Sequence, residues 1–153
     1  MLKKLMQTDD DTGMLIVRLA LGIAMFPHGA QKLLGWFGGG GYSATMQGMT
    51  QMGLPAVVVF LVIIAEFFGA LGLITGFLGR VAAFGVLCVM LGAIFLVHLP
   101  NGFFMNWMGN QKGEGIEYHI LAIGIALAVL IRGSGRLSID RALSDKGAYI
   151  SRR

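Results

Sequence analysis

Charged side chains are scarce in this sequence. Asp, Glu, Lys and Arg together make up 13% of its 153 residues, whereas hydrophobic residues make up 56%. Soluble domains carry about 25% charged residues, and the mean hydropathy of this chain is high, at +0.74. The composition therefore excludes an ordinary soluble enzyme. It indicates an integral membrane protein with room for one domain, residues 1–153.

Cysteine is nearly absent as well. Cys88 is the single cysteine and lies within an apolar segment, which excludes an intrachain disulfide and a CxxC redox relay. The chain is basic, with a pI near 9.6, but its basic residues stand at the chain ends and between hydrophobic runs. That placement is typical of membrane topology, so we expect no nucleic-acid partner.

A recognisable signal peptide is also missing. Lys3 and Lys4 resemble the start of one, but the aspartates at 9–11 follow them and Arg18 interrupts the apolar stretch. No small-x-small cleavage site comes after it. We therefore expect the first hydrophobic segment to remain as an uncleaved helix.

Four hydrophobic segments are present, at residues 14–34, 54–78, 81–99 and 116–131. Segments of about 20 residues cross a hydrocarbon core as helices. Basic residues cluster in the N-terminal tail, in the turn after the second segment and in the tail at 133–153, and the positive-inside rule places these parts in the cytoplasm. We predict an all-α membrane protein, a four-transmembrane-helix bundle with both termini inside. A short cytoplasmic C-terminal helix, capped by Ser138, follows the bundle.

Glycines are regularly spaced along the predicted helices. Gly22 and Gly29 stand seven residues apart, as do Gly85 and Gly92, and residues 72–76 form a GxxxG motif. Small residues allow helix backbones to approach closely in lipid. We expect tightly packed helices, and the GxxxG motif also offers a surface on which a homo-oligomer can form.

One acid, Glu66, lies in the second segment and is the only charged side chain between Lys32 and Arg80. An acid near mid-span costs about 2.5–3.5 kcal/mol on insertion scales, so it needs a partner, a cavity or a proton. With Leu78 as the inner boundary, helical rise places Glu66 about 18 Å into the bilayer, which is in its outer half.

Other ionisable groups are expected at a similar depth. Lys32 shares a helix face with His28, four residues before it, and Pro27 should kink the helix beside them. Glu117 and His119 point to opposite sides of their helix, and we expect Glu117 to face the interior because an acid facing lipid is costly. The candidate ligand- or proton-handling residues are Glu66, His28, His98, Glu117 and Lys32.

Carboxylates and imidazoles at this depth suit a quinone headgroup. Quinone carbonyls need hydrogen-bond donors, and their redox chemistry needs proton carriers. The ligand would be ubiquinone or menaquinone, without a covalent cofactor, and no catalytic residue is assigned. Acid–base pairing that only fastens the bundle explains the same residues equally well. Arg18, near the inner boundary, is expected to be structural.

Two metal-based alternatives are less favoured. Haem b held between His28 and His98 would require the two rings to face each other across the iron. The ten methionines suit copper chemically, but their spacing fits packing and a short interfacial helix in the first outer loop. We therefore expect no metal site.

Several motifs together resemble the DoxX family. They are RLALGIAMFPHGAQKLLG at 18–35, AEFFGALGLITGFLGR at 65–80, HLPNGFF at 98–104, GEGIEYH at 113–119 and GRLSID at 135–140. The resemblance implies a small four-helix, multi-pass protein of the bacterial cytoplasmic (inner) membrane. It further implies kinship with a subunit of a thiosulfate:quinone oxidoreductase and with membrane complexes that handle thiol or superoxide stress.

The sequence thus favours a quinone-linked redox component with a polar pocket in the outer half of the bundle. No flavin, haem or dithiol motif is visible, so a redox partner protein or a small reductant would supply electrons. Two alternatives stay open. One is a noncatalytic membrane scaffold that recruits redox or stress-response partners, and the other is a small proton-coupled transporter, which would need an oligomer.

Overall fold

The computed structural model describes residues 2–150, with the side chains of residues 4–144, and this part of the chain is helical without a strand. The α-helices are α1 Leu2–Leu5, α2 Thr12–Leu34, α3 Gly41–Gln51, α4 Ala56–Thr75, α5 Gly79–Ala93, α6 Glu117–Arg132 and α7 Ile139–Ile150. A π-helix, Ile94–His98, and a 3-10 turn, Leu99–Asn101, extend α5. The predicted all-α class is confirmed.

Three helices of the described chain are long and apolar enough to cross a membrane. They are Thr12–Leu34, Ala56–Thr75 and Gly79–Asn101, the last including the π and 3-10 turns. The fourth predicted segment forms α6, whose 16 residues cover about 24 Å. That length is shorter than a typical hydrocarbon core.

Four helices pack in a closed order. α2 lies against α4, α4 against α5, α5 against α6, and α6 against α2. The interior between them is apolar, with buried side chains such as Leu21, Met25, Leu73, Val86 and Val129. The short α3 contacts α2 and α4 and contributes no buried residue.

Glycines bring α2 close to α4. A Cβ atom at Gly29 would lie 2.5 Å from the backbone N of Phe67, and one at Gly22 would lie 3.0 Å from the backbone N of Ile74. The expected close approach is confirmed at these two positions. At Gly92 no heavy atom lies within 4 Å of such a Cβ, so this glycine does not serve a close contact.

The GxxxG motif is used within the chain. A Cβ atom at Gly72 would lie 3.1 Å from the Cβ of Ala82 on α5. Gly76 ends α4 in the left-handed conformation, with φ 66°, and its N–H donates to the Gly72 carbonyl. Both glycines therefore have close neighbours within the same molecule.

One end of the helices is held together by charged side chains, and we call it the basic end. It carries the N-terminal segment, the α4–α5 turn and α7. The guanidinium of Arg18 is completely buried there. Its Nε donates to the Ser134 carbonyl at 2.8 Å and its Nη1 to the carbonyls of Leu73 and Ile74 at 2.5 and 2.7 Å. Arg18 thus ties α2 to the end of α4 and to the segment before α7.

A buried acid completes the basic end. Asp140 Oδ1 accepts from the Leu78 N–H at 2.7 Å, and its Oδ2 accepts from the Gly79 N–H at 2.9 Å and the Ser134 hydroxyl at 2.6 Å. It therefore caps the start of α5 from α7. The predicted Ser138 cap of the last helix is confirmed, since its Oγ accepts from the Arg141 N–H at 3.2 Å.

Candidate functional site

The acid in the second segment is paired with a lysine. Lys32 Nζ on α2 lies 2.5 Å from Glu66 Oε2 on α4. The side chain of Glu66 is 5% exposed and that of Lys32 is 26% exposed. The pair forms close to the point where Gly29 brings the two backbones together, since Gly29 is about one helical turn before Lys32 and packs against Glu66 and Phe67. This contact compensates much of the cost of burying a carboxylate.

Two histidines meet at the same end of the helices. The rings of His98 and His119 are in contact, with their centroids 4.2 Å apart and their planes tilted by 41°. His98 is the last residue of the π-helix Ile94–His98. A π turn adds a residue to the helical repeat and so changes the direction in which the following side chains point. His98 Nδ1 lies 2.8 Å from the Glu114 carbonyl oxygen.

His119 is the more buried of the two. Its residue exposure is 6%, and none of the residues that the structure describes forms a hydrogen bond with its Nδ1. Buried polar atoms in proteins usually have one. An imidazole with an open hydrogen-bonding position beside a cavity is suited to a ligand that brings a polar atom of its own.

Tyr118 connects the histidine pair to α2. Its ring centroid lies 5.6 Å from that of His119 and 6.2 Å from that of His28. The Tyr118 hydroxyl lies 3.4 Å from the sulfur of Met25. Rings from α2, the π-helix and α6 therefore form a row, His28, Tyr118, His119 and His98, on one side of the Lys32–Glu66 pair.

These polar groups line one large cavity of about 1270 Å³. The rest of its wall is apolar and comes mainly from α4 and α5, down to Leu78 and Val81. Phe68, Phe77 and Phe84 belong to this wall and are 53%, 45% and 55% exposed. The cavity therefore opens sideways between α4 and α5. Its polar members are His28, Lys32, Glu66, Thr75, His98, Glu114, Tyr118 and His119.

Four of the five candidate residues named from the sequence share this cavity, namely Glu66, His28, His98 and Lys32. Arg18 lies apart from them, at the basic end. The fifth, Glu117, does not line the cavity, and its Oε2 accepts from the Met105 N–H at 3.3 Å. The expectation that Glu117 rather than His119 faces the interior was wrong. The loop at 102–116 folds over the start of α6 and provides the acid with a backbone donor outside the cavity.

The sequence did contain a signal for His119. It shares a helical repeat with Ala122, Ala126 and Val129, and all four are buried. This spacing of three and four residues marks the buried face of α6. The cost of exposing an acid to lipid favoured Glu117 as the inward-facing residue. That cost is lower than expected because a loop N–H donates a hydrogen bond to the Glu117 carboxylate.

Residues that would hold a metal are not grouped in the described structure. Within residues 2–150, no set of three or more His, Cys, Asp or Glu side chains is placed to bind an ion. His28 and His98, weighed as haem ligands, each lie against a ring of α6 rather than against each other.

Comparison with known proteins identifies the family. A family model named DoxX matches residues 13–99, which carry α2 to α5 and most of the cavity wall. The chain belongs to the DoxX family. This membership confirms the resemblance carried by the sequence motifs.

Two curated relatives match most of the chain. The "Inner membrane protein YqjF" of Escherichia coli (strain K12) is 33% identical over 137 residues, which are 90% of this chain and 96% of that protein. The "Putative oxidoreductase CatD" of Bacillus subtilis (strain 168) is 29% identical over 130 residues, 85% of this chain and 86% of the relative. No solved structure matches the chain. Family and relatives support a multi-pass protein of the bacterial inner membrane.

Proposed function

We propose that this DoxX protein is a quinone-linked redox component of the inner membrane. The headgroup of ubiquinone or menaquinone binds among His28, Lys32, Glu66 and His119, and the isoprenoid tail lies between α4 and α5. One observation carries the proposal: a single cavity joins a polar cluster to a long apolar groove that opens sideways.

The polar end of the cavity supplies what a quinone headgroup needs. Its carbonyl oxygens accept hydrogen bonds, and Lys32 Nζ is a charged donor, which forms stronger bonds than a neutral one. His119 has an unused hydrogen-bonding position. Carboxylates and imidazoles are the side chains that most often transfer protons in enzymes. The proposal assigns hydrogen bonding to Lys32 and proton handling to Glu66, His28 and His119.

The apolar end of the cavity suits a long hydrocarbon chain. Small-molecule pockets have volumes of about 300–1,000 Å³, and this cavity, at about 1270 Å³, is larger. Along α4 it extends from Glu66 to Thr75, about 14 Å by helical rise. A ligand with a flat polar head and an extended apolar tail uses both parts of this space.

The proposal includes an orientation for the molecule. α2, α4, α5 and α6 form a four-transmembrane-helix bundle, in which residues flanking α6 complete the fourth span. The basic end, with Arg80, Arg132 and Arg136, lies in the cytoplasm by the positive-inside rule. Both termini are then cytoplasmic, and the polar part of the cavity is in the outer half of the membrane.

Electrons come from outside this chain in the proposed function. The sequence has no flavin, haem or dithiol motif, so a partner protein or a small reductant delivers them at the loops of the outer side. One relative is named an oxidoreductase, which supports the redox class of the proposal.

Quinone binding to protein in lipid nanodiscs tests the proposal. Nanodiscs free of endogenous quinone are titrated with short-chain ubiquinone and menaquinone analogues, for the natural protein and for Glu66→Gln and His119→Ala. We expect saturable binding that weakens about tenfold in either variant, the effect of losing one good polar contact.

Glu117→Gln is the matched control. It removes the same charge as Glu66→Gln, lies outside the cavity and keeps an oxygen for the Met105 N–H, so its affinity should match the natural protein. Absence of saturable binding to the natural protein, or equal affinity in all four proteins, would leave the noncatalytic scaffold as the better explanation.

A further inference from the structure

A second groove lies at the basic end, and two residues of its wall, Val81 and Phe84, also line the apolar end of the quinone cavity. It has a volume of about 430 Å³ and is formed where α1 lies beside α5 and α6. Its lining residues are Lys4, Leu5, Arg80, Val81, Phe84 and Leu130. Two cations therefore stand next to four apolar side chains at the expected boundary between membrane and cytoplasm.

The first cation, Arg80, is held in place without a carboxylate. Its Nη1 donates to the Leu130 carbonyl and, at 2.8 Å, to the Ile131 carbonyl, and its Nη2 donates to the Gln7 carbonyl at 3.2 Å. These bonds fix the guanidinium between α5, the end of α6 and the N-terminal segment. Carbonyl oxygens carry only partial charges, so the positive charge of Arg80 is not neutralised.

The acids near this groove have other partners. Asp10 pairs with Arg136 at 3.6 Å, and Asp11 pairs with Arg132 at 3.2 Å. Among the described residues, neither Lys4 nor Arg80 lies within 4.0 Å of a carboxylate. The groove consequently keeps two positive charges that an external anion can compensate.

The apolar part of the groove leads away from these charges into the membrane span. Val81 and Phe84, on the first turns of α5, are 46% and 55% exposed. They are one helical turn apart and form a continuous apolar strip next to Leu130 of α6. An occupant must therefore be anionic at one end and hydrocarbon at the other.

We propose that this groove binds an anionic phospholipid of the inner leaflet. Its phosphodiester lies between Lys4 and Arg80, and one acyl chain packs against Val81, Phe84 and Leu130. Basic pockets between membrane helices on the cytoplasmic side are known to bind such headgroups. The bound lipid connects α1 to the α5–α6 pair, so it stabilises the N-terminal segment against the bundle. This site does not depend on the quinone proposal.

Native mass spectrometry of the delipidated full-length protein tests the proposal. The probe is phosphatidylglycerol, with phosphatidylethanolamine as the zwitterionic comparison. We expect one preferred phosphatidylglycerol adduct. Its affinity should fall about fivefold in Lys4→Gln and again in the double variant with Arg80→Gln, as expected for one basic residue near a lipid surface.

Lys112→Gln, in the loop at the opposite end, is the matched control and should leave the adduct unchanged. Lys4→Gln alone decides the result if Arg80→Gln does not fold, because the Lys4 side chain forms no ion pair with any described residue. Equal losses in Lys4→Gln and Lys112→Gln, or equal affinity for phosphatidylethanolamine, overturn the proposal. Displacement of the adduct by inorganic phosphate would show a free-anion site instead of a lipid site.

Discussion

The two ends of this molecule use buried polar side chains differently. At the basic end, Arg18 donates to carbonyls of two chain segments, and both oxygens of Asp140 accept hydrogen bonds. At the other end, among the described residues, Glu66 has one hydrogen-bond partner and His119 Nδ1 has none. A fully satisfied network fixes structure, whereas a partly satisfied one beside a cavity is available for a ligand.

This difference shows how burial alone misleads. Arg18 and Glu66 are both buried charges in membrane helices, and both qualify as functional candidates by position. Their partners separate them. Arg18 is surrounded by backbone carbonyls at the ends of helices, while Glu66 and Lys32 line an open cavity with three histidines. We therefore expect substitutions at the basic end to lower the stability of the fold and substitutions in the cavity to weaken ligand binding.

The largest expected effect is that of Arg18→Met. The substitution leaves the carbonyls of Leu73, Ile74 and Ser134 without their donor in a buried site, and we expect a loss of about 3–5 kcal/mol in stability. Unfolding of purified protein in mild detergent, followed by circular dichroism, measures it. Unchanged stability would mean that Arg18 does not hold the basic end together. Lys32→Met is the matched substitution at the other end of the helices.

Gly29→Ala should have the second largest effect on stability. The added Cβ would lie 2.5 Å from the backbone of Phe67, so α2 must move away from α4, at a cost of about 2–3 kcal/mol. The shift also separates Lys32 from Glu66. Gly92→Ala, where the Cβ meets nothing within 4 Å, is the control and should be neutral or slightly stabilising. Equal thermal stability of both variants would contradict the packing.

Asp140→Ala should have the third largest effect, a loss of about 2 kcal/mol in stability. It removes the acceptor for the Leu78 and Gly79 N–H groups at the start of α5 and for the Ser134 hydroxyl. The unfolding measurement used for Arg18→Met applies, together with hydrogen exchange at residues 78 and 79, which should accelerate. Asp9→Ala, an exposed acid in the N-terminal segment, should change stability by less than about 0.5 kcal/mol.

Glu66→Gln should affect stability least. Lys32 is 26% exposed and can turn its ammonium toward water, so we expect a loss of about 1 kcal/mol or less. Its effect on quinone affinity, about tenfold, should exceed that of any substitution at the basic end that still folds. A stability loss comparable to that of Arg18→Met, with unchanged quinone binding, would assign Glu66 to structure.

Much of the site was predictable because depth in a helix follows from residue number. Counting 1.5 Å per residue placed Glu66, His28, Lys32 and His98 at one level, and the structure brings all four to one cavity. The direction in which each side chain points was harder to predict. The π-helix that orients His98 and the loop that donates a hydrogen bond to Glu117 depend on contacts between residues distant in the sequence. The cost of exposing an acid to lipid, taken alone, therefore selected the wrong residue on α6.

The bounds of the helices were predictable for a similar reason. Apolar runs end where Gly, Pro or charged residues begin, and Gly76 closes α4 with a positive φ. The GxxxG motif was different, because its spacing marks a close contact without indicating the neighbour. In this molecule the neighbours are Ala82, Ser138 and Arg18 of the same chain.

The sequence by itself determined that this is a helical membrane protein and that Glu66 requires compensation, because hydropathy and helical rise are local properties. Only the tertiary structure decided that Lys32 compensates it, that His119 replaces Glu117 in the cavity and that Asp140 caps α5. Those outcomes depend on how closely helices approach at Gly29 and on where the loops fold, which are relations between residues distant along the chain.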